Sequence, residues 1–197
     1  MRSYVNSHYL RRRDTLSALG TVQAFYYSYL AAPRSDGALF QAIRRNRPRR
    51  VLELGIGTGS RAVRLIRMAQ RHHAEGDVRY IGLDLFEART ACDGPGITLK
   101  LAYRMLRATG ARIQLLPGEP LETLARAANN LGTIDLAVFS ARLDPRLLAE
   151  TWFYVPRLLN PSSEVFMETE LAGGRCAIRR VEPGELASMA ATRRRAA

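Results

Sequence analysis

Residues 49–60 read Arg-Arg-Val-Leu-Glu-Leu-Gly-Ile-Gly-Thr-Gly-Ser, and no other stretch constrains the fold as tightly. Val51 to Leu54 is an apolar run with the length of a buried strand. Gly55, Gly57 and Gly59 follow at alternate positions, and an amphipathic stretch begins at Ser60. Strand, glycine turn and helix in that order open a nucleotide-binding α/β unit. Without a Cβ the backbone can turn sharply and let a ligand approach closely. The free N–H groups of the helix's first turn then point back at that ligand. A glycine turn after a strand is also, by itself, an ordinary tight turn, so the residues downstream decide between the two.

The dinucleotide fingerprint is Gly-x-Gly-x-x-Gly, with an acid about 20 residues further on. Here Ser60 stands where its third glycine should be, which disfavours a nicotinamide-dependent oxidoreductase. Val78 to Leu83 reads as a second buried strand with Asp84 at its carboxyl end. A carboxylate there can accept hydrogen bonds from both hydroxyls of a ribose; alone, it also reads as a solvated strand-end acid. Glu53 lies two residues before the first glycine.

These features resemble the class I S-adenosylmethionine-dependent methyltransferases. Their first motif, Glu/Asp-x-Gly-x-Gly-x-Gly, is matched by Glu53, Gly55, Gly57 and Gly59, and the acid ending their second strand by Asp84. Gly118-Glu119 is similar to the Gly-Asp pair that often follows their third strand, although Gly118-Glu119-Pro120 also makes a plain turn and helix start. Val155 to Ser163 looks like the family's Leu-x-Pro-Gly-Gly turn without its glycines. The resemblance spans about residues 48–170. It implies S-adenosyl-L-methionine as cofactor, held by Glu53, Gly55, Gly57, Gly59, Asp84, Glu119 and Ser140.

Further strands are expected at Arg112–Leu116, Ile134–Phe139 and Glu164–Glu168, with helices at Ser60–His73, Ile97–Thr109, Leu121–Asn129 and Pro145–Leu159. Gly173-Gly174 reads as a hairpin turn into Arg175–Val181. Alternating strands and helices argue a Rossmann-like α/β fold: a mostly parallel sheet with helices on both faces. Right-handed crossovers place every strand's carboxyl end on one rim, where Gly55 to Gly59, Asp84, Glu119 and Ser140 meet. On the first sheet helix Ala62, Val63, Ile66 and Ala69 can face the sheet, and Arg61, Arg64, Arg67 and Arg71 water. Thr58 or Ser60 is expected to cap its start. His72 and His73 fall at its far end, roughly 20 Å from the turn at 1.5 Å per residue, and are poor catalytic candidates.

Residues 1–47 read as a separate N-terminal helical segment. Leu16, Leu19, Val22, Phe25, Tyr26 and Tyr29 fall at helical spacing, and Ala38–Arg45 is a short helix. The resemblance suggests a cover over the substrate side, lined by Tyr26, Tyr27 and Tyr29; packing with exposed hydroxyls explains the same stripe. Residues 48–185 form the nucleotide-binding domain, and residues 186–197 a frayed basic tail with Arg193, Arg194 and Arg195.

Composition bounds the partners. Of a formal net charge of +12, most lies in residues 1–71, which carry 14 arginines against 3 acids. The plain reading is a solvated basic surface and the sharper one attraction to nucleic acid or another polyanion. No aromatic–basic motif accompanies the charge, so the plain reading is preferred. No apolar run reaches the ~18 residues of a membrane helix, and no apolar h-region follows the N-terminus. Cys92 and Cys176 have no metal-like spacing, which suits reduced thiols in a cytoplasm.

The end of the fourth strand, Val138-Phe139-Ser140-Ala141-Arg142, lacks the Asn/Asp-Pro-Pro-Tyr/Phe of methyltransferases that act on base amines. It resembles the Ile-Asp-Ala pattern of metal-dependent O-methyltransferases, with Ser140 in the place of the Asp. A hard divalent cation wants several carboxylate or carbonyl oxygens, so no metal is expected. Asp144 could substitute, or simply cap the helix that Pro145 begins. His8, Glu168 and Glu170 are the candidate bases, none compelling. The reading is a methyltransferase acting on a small molecule, with a non-catalytic cofactor- or polyanion-binding module as the alternative.

Overall fold

The computed structural model describes residues 36–192 apart from Arg142, Asp144, Gly173 and Gly174. The helix expected around Thr15–Leu30, the Tyr26, Tyr27 and Tyr29 cover, His8, Asp144, the Gly173-Gly174 turn and Arg193 to Arg195 lie outside the described residues.

Among the described residues six strands form one sheet: β1 (Arg50–Leu54), β2 (Arg79–Asp84), β3 (Arg112–Pro117), β4 (Ile134–Phe139), β5 (Leu159–Leu171) and β6 (Arg175–Val181). Their order is β3-β2-β1-β4-β5-β6. The first five pair in parallel, and β6 closes the edge antiparallel to β5. The fold is α/β and Rossmann-like. Residues of β1, β2 and β4 are buried almost throughout, as expected of parallel strands covered on both faces. The order reverses between β1 and β4, the switch point at which ligands of such sheets bind.

Helices α1 (Gly37–Asn46), α2 (Ser60–Gln70), α3 (Leu99–Arg107), α4 (Pro120–Leu131), α5 (Pro145–Thr151) and α6 (Pro183–Thr192) complete the layers. One face of the sheet buries Leu52, Leu54, Ile81, Leu83 and Phe139 against Leu124 and Leu131 of α4 and against Trp152 and Val155. The Phe139 and Trp152 ring centroids lie 4.3 Å apart. The opposite face carries Glu53 and Tyr80 and faces α2. Helix α1 packs on α2 and on the β5–β6 pair, and belongs to the same compact unit, Arg34–Ala197.

Three expectations need correction. The helix expected over Pro145–Leu159 stops at Thr151, and a 3₁₀ turn, Val155–Leu158, follows. Pro156 has no N–H to continue the helical ladder, and Trp152 is drawn into the core. The fifth strand is longer than Glu164–Glu168: residues 160–163 form a bulge between the Ile134–Leu159 and Leu136–Glu164 pairs. There the Asn160 side chain accepts from Ser162 N and the Ser163 hydroxyl donates to the Ile134 carbonyl. The tail expected to fray from residue 186 is helical to Thr192. Pro183 suits the first turn, and Leu186 and Met189 pack against the core.

Candidate functional site

The glycine turn is built by conformation and by crowding. Gly55, Gly57 and Gly59 have φ of 81°, 59° and 77°, left-handed values that strain any residue with a Cβ. At Gly55 a Cβ would also stand 2.7 Å from the Cβ of Ser140. The turn is sewn to its neighbours by backbone bonds, Gly55 N to the Leu83 carbonyl and Ser140 N to the Leu54 carbonyl. The ends of β1, β2 and β4 therefore hold one another in register. Gly59 is itself the N-cap of α2, and no described side chain caps that helix start. Thr58 and Ser60, the expected caps, pair with each other instead, at 3.1 Å.

Asp84 lies directly beside the turn. Its Oδ2 accepts from Gly57 N at 2.9 Å and its Oδ1 from Phe86 N at 3.0 Å. The backbone carbonyl of Asp84 accepts from Gly118 N at 3.0 Å. Glu119 follows, and its carboxylate accepts from Leu121 N at 3.0 Å as the N-cap of α4. Ser140 is buried at the end of β4 and donates to Glu168 Oε2 at 3.1 Å. The carboxyl ends of β1 to β4 thus bring Gly55, Gly57, Gly59, Asp84, Glu119 and Ser140 onto one rim.

Glu53 is placed differently. It has no exposed surface and sits beneath the turn, where Arg61 Nε donates to one of its oxygens at 2.7 Å and the Tyr80 hydroxyl to the other at 2.6 Å. Burial pushes the Glu53 carboxyl above its ordinary range, and Arg61 and Tyr80 offset this only in part. Arg61 also pairs with Glu168 at 3.0 Å. Burial opposes the Arg61 charge, but the two carboxylates outweigh it and hold its pKa above the ordinary value. At Glu168 burial pushes up, and Arg61, Ala141 N and the Ser140 hydroxyl together hold the carboxyl below its ordinary range. A chain of contacts, Tyr80–Glu53–Arg61–Glu168–Ser140, therefore ties β2, β1, α2, β5 and β4 together under the rim. Because Glu53 precedes the turn and Arg61 follows it, their ion pair clamps its two ends.

Arg61 and Arg64, which the spacing allows to face water, are instead both enclosed. Arg61 is 12% exposed in the network just described, and Arg64 pairs with buried Asp36 at 2.7 Å. Helix α2 is covered by α1 as well as by the sheet, so more than one stripe of it is buried. Glu168 also sits at the rim as an engaged ion-pair partner. Glu170 is exposed.

The residue most completely missed is Arg89. Its Nε donates to Asp84 Oδ1 and its Nη2 to Asp84 Oδ2, both at 2.6 Å, and its Nη1 donates to the Asp93 carbonyl. Burial pushes the Asp84 carboxyl up, but this fork and the Phe86 and Gly57 amides outweigh it and hold it below its ordinary range. The loop after β2 lies over the turn: Pro95 O is 3.6 Å from a Cβ placed at Gly57, and Ile97 and Met105 stand against Gly59. A basic residue shortly after a strand-end acid was the available signal. Among the described residues no group of three or more His, Cys, Asp and Glu side chains is placed to hold a metal ion.

No family profile matches the sequence, and no curated protein does. Among solved structures, the fold is similar to that of CalS11, a calicheamicin methyltransferase, with a TM-score of 0.52 at 17% identity over 85% of this chain and 72% of that one. An S-adenosylmethionine-dependent methyltransferase from Clostridium acetobutylicum ATCC 824 aligns with a TM-score of 0.47 at 14% identity, over 78% of this chain and 58% of its own. A SAM-dependent methyltransferase from Archaeoglobus fulgidus aligns with a TM-score of 0.45 at 16% identity, over 80% and 68%. At 17% identity the likeness to CalS11 is one of fold.

Proposed function

We propose that the protein is an S-adenosyl-L-methionine-dependent methyltransferase acting on a small molecule, with Gly55, Gly57, Gly59, Asp84, Glu119 and Ser140 around the cofactor and Glu53 supporting the turn beneath it. The observation that carries this reading is the meeting of the Gly57 amide and the Asp84 carboxylate at 2.9 Å, across adjacent strand ends beside the switch point. The groups present suit an adenosine: a left-handed glycine turn, a helix start that no described side chain caps, and a carboxylate that can accept from ribose hydroxyls once Arg89 releases it. The bound cofactor supplies an activated methyl group for in-line displacement. The chain's own task is then to align and desolvate the acceptor. Glu168, ionised and held by Arg61, fixes the fourth- and fifth-strand ends in place, and no described residue is assigned as general base.

One observation favours a second reading, a binding module without turnover: the Arg89 fork engages both oxygens of Asp84. A ribose reaches that carboxylate only when Arg89 moves. Thermal melts with S-adenosylmethionine, S-adenosylhomocysteine and NAD test the proposal, because a ligand of the folded state raises stability by mass action. The first two should raise Tm and NAD should not. A shift with NAD alone, or with none, contradicts it.

A further inference from the structure

The amino-terminal ends of β1, β2 and β3 carry a second cluster, at the far edge of the sheet from the glycine turn. Arg50 pairs in register with Arg79, and Arg79 with Arg112. Laterally paired residues of a parallel sheet project to the same face, on strands about 4.8 Å apart. Three arginine side chains therefore leave the sheet in one row. With Arg49 and Asp77 they line a cleft of about 340 Å³.

Among the described residues, nothing balances the charge in this cleft. None of the four arginines forms an ion pair with another described residue, whereas Arg61, Arg64 and Arg89 each hold a carboxylate. Arg79 donates to a neutral partner, the Gln114 side chain. Asp135, the nearest acid on β4, uses its Oδ2 for the backbone amides of Arg49 and Arg50, at 2.8 Å each. Among the described residues, Asp77 is the one carboxylate in the lining. Like charges directly opposite across strands destabilise a sheet, and an anion bridging them reverses the sign of that interaction. The planar guanidinium fork matches the oxygens of a phosphate. At the row's spacing one phosphate reaches two guanidiniums, and a chain of two or three reaches all of them.

We propose that this cleft binds a ligand bearing a di- or oligophosphate group, with Arg50, Arg79 and Arg112 along the phosphates and Arg49 closing the outer side. The site is independent of methyl transfer, and its failure leaves the cofactor reading untouched. The test is calorimetric titration of the full chain with sodium pyrophosphate at about 0.15 M ionic strength, for wild type, Arg112→Ala, Arg49→Ala and Arg67→Ala. Arg67 is exposed on α2, outside the cleft, so its variant matches the charge lost but not the place. Arg112→Ala and Arg49→Ala should each weaken pyrophosphate about tenfold or more, and Arg67→Ala less than twofold. Both cleft residues are exposed, and circular dichroism melts check that the variants fold; Arg112→Gln serves if Arg112→Ala does not. Absence of pyrophosphate binding by wild type overturns the proposal, as does an equal loss in Arg67→Ala. A single-stranded RNA dodecamer distinguishes a compact site from a nucleic-acid track. Dodecamer affinity far above that of pyrophosphate, and reduced equally by Arg67→Ala, also overturns it.

Discussion

On the proposed function a ribose must compete with Arg89 for the Asp84 carboxylate, and replacing Arg89 by alanine should separate ligand affinity from stability. The fork makes two bonds of 2.6 Å to Asp84, and the Arg89 side chain is 11% exposed. Charge-assisted hydrogen bonds contribute roughly 1.5–3 kcal/mol each. The released guanidinium regains water, so the pair together is credited with about 1.5–3 kcal/mol rather than with the sum. A ligand that must displace the fork binds more weakly by that amount, about one to two decades of affinity. Arg89→Ala should therefore bind S-adenosylhomocysteine about 10 to 100 times more tightly than wild type by calorimetry, following the same conversion. The free protein should at the same time melt at a lower temperature, since Asp84 keeps only the Gly57 and Phe86 amides. Opposite signs in the two measurements are the signature of displacement. A folded Arg89→Ala variant whose affinity falls or stays unchanged would refute the reasoning, and would make Arg89 a ligand contact or a bystander.

Gly55→Ala combines a left-handed φ with a clash against Ser140 Cβ and should lower stability by roughly 2–4 kcal/mol in urea melts. Gly57→Ala has only Pro95 O at 3.6 Å nearby, so it should lose about 1–2 kcal/mol from backbone strain while S-adenosylhomocysteine binding falls much further. Asp84 and Glu168 are both held below the ordinary carboxylate range; such groups add stability above their unfolded pKa of about 4, and it is lost as pH falls through the lower folded values. Glu168→Gln should therefore flatten the acid limb of a Tm-against-pH profile below about pH 4; an unchanged limb contradicts the Arg61 pairing. Chelator should leave any methyl-transfer rate unchanged, as Ser140 at the end of β4 implies; a loss restored by Mg²⁺ contradicts that.

The parallel strands were readable because their apolar runs are short, continuous and bounded by turn residues. Ile134–Phe139 is found with the expected bounds, and Arg112–Leu116 gains only Pro117. Patterns failed where long-range packing overrides local signals. Trp152 and Pro156 divide one apparent helix, and Leu186 and Met189 turn an apparent tail into a docked helix. Glycines and strand-end acids are fixed by backbone geometry within a few residues, so the meeting of these residues on one rim, the candidate site, was legible. Its ion pairs were not. An arginine looks the same in sequence whether it is solvated, like Arg67, or enclosed between two carboxylates, like Arg61. Which of the two obtains depends on partners 8 and 107 positions away, Glu53 and Glu168.

The central claim is that Asp84 fixes the ribose of S-adenosylmethionine beside the glycine turn, and a four-way titration tests it most directly. Wild type and Asp84→Ala are each titrated with S-adenosylhomocysteine and with its 2′-deoxyribose analogue, with folding checked by melting. In wild type the analogue should bind about one decade more weakly, because one charge-assisted hydrogen bond is lost. In Asp84→Ala both ligands should bind weakly and alike. A wild type that does not distinguish the two ligands, or an Asp84→Ala variant that still does, contradicts the account.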